Sequence, residues 1–80
     1  MDLKDYRNQL DTIDDQMAAL FKQRMEIVRK VADYKKETNT PVMAAGRERE
    51  ILYRVTGLCG EDLEEYTKIL YSTILELSRD

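Results

Sequence analysis

The sequence has no histidine, one cysteine, one proline and three glycines in 80 residues. Without an imidazole, Ser-His-Asp or Cys-His catalysis, a histidine general base and most zinc or iron sites are excluded. Cys59 has no second cysteine for an internal disulfide, and with nothing to activate it the residue reads as part of a loop beside Gly60 rather than as a catalytic thiol. Long apolar runs are absent too. Met1 is followed by charged residues, so neither a signal peptide nor a membrane span is expected, and the cytoplasm is the expected compartment. The 13 Lys and Arg against 16 Asp and Glu, a net charge of −3, lack the clustered basic excess of a nucleic-acid binder but leave a small anionic ligand open.

The scarcity of helix breakers leaves room for one dominant element. From Leu3 to Glu37 no Gly or Pro interrupts an apolar series of Leu3, Tyr6, Leu10, Ile13, Met17, Leu20, Ile27, Val31 and Tyr34, whose alternating steps of three and four predict one amphipathic helix. Such a helix is about 52 Å long, longer than a compact domain of this size is wide, so its own chain cannot cover it. Residues 1–80 therefore read as one small domain that completes its core as a homodimer. Acidic residues (Asp11, Asp14, Asp15) fill the first half of the helix and basic ones (Lys22, Arg24, Arg29, Lys30) the second, so two antiparallel copies set opposite charges together.

Thr38-Asn39-Thr40-Pro41 ends the helix, because proline disfavours helical angles in the residue before it. A short helix is predicted over Ala45–Thr56, with Gly57 and Gly60 bracketing its exit. A third starts near Asp62, which with Glu65 forms an acidic capping box, and runs through Leu63, Tyr66, Ile69, Leu70, Ile74 and Leu77 to the chain end. No strand pattern or repeat appears. The fold class is all-α, three helices of unequal length in an intertwined homodimer.

One residue breaks the long apolar series. Seven residues after Met17 the seam holds Arg24 where a hydrophobe is expected. Lys35 follows eleven residues later, which places it within about 20° of the same face and about 16 Å along the axis, with Val28 and Val31 between. A cation on an apolar face needs an anion. It can also reach solvent along its stem or pair with a carboxylate of another helix, and periodicity does not choose between these. Arg7 lies about 25 Å before Arg24 on the same helix, so the two meet in one site only if different chains supply them. At the start of the second helix, Arg47 and Glu48 lead into Ile51, Leu52 and Val55, where exposed N–H groups beside an arginine offer a seat for a carboxylate.

These residues resemble the all-helical, AroQ class of chorismate mutases. The matching segments are LKDYRNQLDTIDDQMAALFKQR, VADYKK and PV followed by REREI, and the joint spacing of Arg7, Arg24, Lys35, Arg47 and Glu48 carries the likeness. The resemblance implies an intertwined dimer with two sites that rearrange chorismate to prephenate in phenylalanine and tyrosine biosynthesis, without cofactor or metal. Arg7 from the partner chain and Arg24 would hold the two substrate carboxylates. Lys35 would donate to the ether oxygen and a carboxylate, Arg47 would assist carboxylate binding, Glu48 would accept from the ring hydroxyl, and Ser78 would supply a polar contact. Two departures stand out. Ala44 replaces an aspartate usual one turn before Glu48, and the second donor to the ether oxygen, one turn after Ser78, falls beyond Asp80. For that chain end the resemblance implies the N-terminal piece of a longer, bifunctional polypeptide, a prephenate dehydratase behind this domain being the family's commonest such arrangement.

The residue types suit that chemistry. A pericyclic rearrangement needs no nucleophile or proton shuttle, only a flexible dianion held in its reactive conformer by planar, bidentate arginines and an ammonium where charge grows on the ether oxygen. The rival readings are an isochorismate pyruvate-lyase on the same fold and a helical dimerisation or sensor module without catalysis.

Overall fold

The computed structural model describes residues 1–40 and 45–78, and within them every regular element is helical. Helix α1 spans Leu3–Thr38, α2 spans Ala45–Cys59, and α3 spans Glu64–Ser78 after a single 3-10 turn at Glu61–Leu63. None of these helices is long and apolar enough to cross a membrane. Contacts divide the chain into two units, Met1–Val31 and Ala32–Asp80.

The first unit is the larger part of α1, without a core. Its entry is fixed by a reciprocal pair: the Asp5 amide donates to Asp2 Oδ1 at 3.0 Å and the Asp2 amide to Asp5 Oδ2 at 3.3 Å. Two carboxylates thus satisfy open N–H groups at the positive end of the helix dipole. No residue of α1 is buried. The nine apolar residues of its seam are each between 45% and 64% exposed.

In the second unit α1 stops where the Thr-Asn-Thr cluster requires. Asn39 takes a left-handed φ of 57°, and the Thr40 amide turns back to the Lys35 carbonyl at 2.9 Å. That bond closes the helix by capping an end carbonyl. Pro41 and Ala44 lie outside the described residues.

Helices α2 and α3 pack as a hairpin around Ile51, Val55 and Leu75, each 5–7% exposed, with Leu52 and Tyr71 against them. Among the described residues the buried polar side chain is Thr67, whose hydroxyl donates to the Leu63 carbonyl at 2.7 Å. Three predicted details need correction. Helix α2 continues through Gly57 to Cys59, so Cys59 is an exposed last helical residue rather than a loop residue. Of the two glycines expected to bracket the exit, Gly57 lies within the helix and the reversal falls at Gly60, whose φ of 92° suits a residue without Cβ. Instead of an Asp62 cap, the chain enters α3 through the 3-10 turn, and its N-cap Gly60 offers no side-chain hydrogen bond. With so few buried residues, Leu75→Ala is expected to cost about 2–5 kcal/mol, read as a lower urea midpoint at unchanged slope.

Candidate functional site

The hairpin core sets the positions of two predicted residues. Glu48 precedes Ile51 and Leu52 by one turn on the same face of α2 and is half-buried. Ser78 follows Ile74 and Leu75 by one turn on the core face of α3, is also half-buried, and donates to the Ile74 carbonyl at 2.6 Å. Because a short connection makes the two helices antiparallel, the start of α2 and the end of α3 lie at the same, open end of the hairpin. A carboxylate and a hydroxyl therefore terminate the apolar core there. Lys35, in the same unit, is half-buried as well.

Arg47 stands apart from this group. Its side chain is 60% exposed and paired at 3.5 Å with Glu50, one turn on, in an ion pair of the surface kind. In the first unit Arg7 is exposed whereas Arg24 is half-buried. Among the described residues of α1, those not classed as exposed are Arg24, Met25, Val28, Ala32 and Lys35. Steps of four and three link Arg24, Val28, Ala32 and Lys35 into one stripe about 80° wide, so the residue between the two cations is Ala32 together with Val28, while Val31 stays exposed. Met25 and Ala32 escaped the sequence reading. Ala32, two steps of four from Arg24, carried a signal in its spacing, whereas Met25, next to Arg24, carried none.

The distribution inverts ordinary solvation. The nine apolar seam residues of α1 face water while two of its cations are partly withdrawn from it. Partly desolvated guanidinium and ammonium groups attract carboxylates strongly, and neither group can act as a base in its charged form.

Residues 6–80 match the family described as chorismate mutase type II. The chain belongs to this family. A bifunctional chorismate mutase/prephenate dehydratase of Aquifex aeolicus (strain VF5) is 30% identical over 57 residues, covering 71% of this chain and 16% of that protein. The chain thus matches a small part of that relative's length. No solved structure matches. Membership of the chorismate mutase type II family, an isomerase family, agrees with the resemblance carried by Arg7, Arg24, Lys35, Arg47 and Glu48, and the match takes in every one of these residues and Ser78.

Proposed function

We propose that this chain rearranges chorismate to prephenate in sites that two copies share. Of the two activities in the relative's name, the mutase one is what the match over residues 6–80 brings to this chain. The observation that carries the shared site is the inversion on α1, with its nine seam hydrophobes exposed and Arg24 and Lys35 half-buried.

The seam repeats with a strict spacing of seven, Leu3, Leu10, Met17, Arg24 and Val31 in one row and Tyr6, Ile13, Leu20, Ile27 and Tyr34 in the other. That period favours a supercoiled pair of helices. The antiparallel register that covers the whole seam sets Leu3 opposite Tyr34, Leu10 opposite Ile27, Ile13 opposite Arg24, and Met17 opposite Leu20. It also brings the partner's Arg7 level with Lys30, about 9 Å along the axis from Arg24 and about 7.5 Å from Lys35. Arg7 and Lys35 each follow a seam residue by four, and antiparallel pairing sets like flanks together. Three cations from two chains then converge, a concentration of positive charge that suits a dianion.

In that site Arg24 and the partner's Arg7 clamp the two carboxylates and hold the substrate compact. Lys35 donates to the ether oxygen as the C–O bond breaks and negative charge grows there. Glu48 accepts from the ring hydroxyl, Ser78 adds a polar contact, and Arg47 assists a carboxylate from the rim. No proton transfer is required of any of them.

Two measurements test the proposal. Chorismate's ultraviolet absorbance should fall when the protein is added; an unchanged signal at high protein concentration would remove the catalytic reading. Sedimentation at micromolar concentration should give a dimer whose melting temperature rises with concentration, whereas a well-folded monomer would remove the shared site.

A further inference from the structure

In the register that sets Ile13 opposite Arg24, three acidic residues of α1 come within one turn of the other copy's Arg24: Asp11, Asp14 and Asp15, all exposed in the single chain. Their directions differ. Asp14 follows the seam residue Leu10 by four, about 40° round the helix, on the flank that also carries Arg7 and Lys35. Asp11 and Asp15 lie about 100° and 140° round and face away from the seam. Antiparallel pairing brings this flank of one helix against the same flank of the other, the side on which Arg24 stands. Asp14 is therefore the acidic residue of α1 that the pairing delivers to Arg24, at nearly the same height along the axis.

A guanidinium has five N–H donors in a planar fork, and a substrate carboxylate takes two. The others decide which way the fork points. Resting on the dimer described above, we propose that Asp14 of one copy is a positioning residue for Arg24 of the other: its carboxylate accepts from the guanidinium and fixes the plane in which the remaining donors meet a substrate carboxylate. The pairing occurs twice by symmetry, and it makes orientation of the anion clamp depend on the partner chain as well as on the arginine's own. It also opposes a second effect, since a carboxylate beside a dianion site repels the ligand. The two effects act in opposite directions on binding, which makes the test decisive.

Asp14→Asn keeps the shape and removes the charge. It should lower kcat/KM for chorismate by about 10- to 100-fold, the size expected on losing a charge-assisted hydrogen bond. Sedimentation and melting temperature should stay at wild-type values, Asp14→Glu should recover part of the loss, and Asp15→Asn should remain within twofold of wild type. Mixing Asp14→Asn with Arg24→Ala under subunit exchange should raise activity to about a quarter of wild type, because one site in each mixed dimer then has both residues intact. Dilution alone would give at most half the Asp14→Asn level. The positioning role is overturned by an Asp14→Asn enzyme that is unimpaired or binds chorismate more tightly, by an equal loss in Asp15→Asn, or by a mixture that fails to recover. A parallel mixture of Arg7→Ala with Arg24→Ala separates the causes: recovery there alone overturns only the role of Asp14, and recovery in neither overturns the dimer beneath it.

Discussion

Arg7→Ala and Arg24→Ala homodimers are each expected to lose about 100-fold or more in kcat/KM, and a mixture of the two to regain roughly a quarter of wild-type activity. The losses follow from the charge that each arginine is assigned to hold. A flexible dianion with one carboxylate released spends little time in the compact conformer from which it reacts. The recovery follows from geometry. About 25 Å of one helix separates the two residues, so a site that uses both must draw them from different chains. In a mixed dimer one site inherits an intact Arg24 and an intact partner Arg7, and the other inherits both defects. Exchange confirmed by mass labelling without recovery would show that Arg7 serves its own chain or no site.

Lys35→Ala is expected to lower kcat by about 10²- to 10³-fold with a smaller change in KM, because the ammonium is assigned to charge that exists mainly in the transition state. The protein should stay folded. Lys35 is half-buried, and removing a partly desolvated cation does not expose a cavity of the kind that a lost Leu leaves. A melting temperature near wild type together with the kinetic loss would separate this role from a structural one; near-normal turnover would remove Lys35 from the site. Lys35→Arg should not restore full activity, since a broad planar fork replaces a compact point charge.

Much of this was legible before the structure. The start and end of α1 were written in Asp2, Asp5 and the Thr38–Thr40 cluster, because local chemistry alone fixes caps and breakers. The ends of α2 and the start of α3 were not. Gly57 looked like an exit, but a glycine within a helix costs only about 1 kcal/mol, and packing of Ile51 and Val55 against Leu75 carries the helix past it to Cys59. Which of two nearby glycines takes the positive φ depends on where α3 must dock. The site divides in the same way. Arg24 announced itself as a charge in an apolar seam, whereas the half-burial of Met25 and Ala32 depends on packing that a periodicity cannot supply. Arg47, read as part of the site, sits exposed with Glu50, where nothing in its own chain distinguishes it from a surface arginine.

The most direct measurement is to incubate the purified protein with chorismate and follow the products by proton NMR. Conversion to prephenate, one molecule formed for each consumed and no pyruvate released, is the expected result. Unchanged chorismate would contradict the catalytic reading of Arg24, Lys35 and Glu48, and a pyruvate signal in step with substrate loss would make the chain a lyase instead.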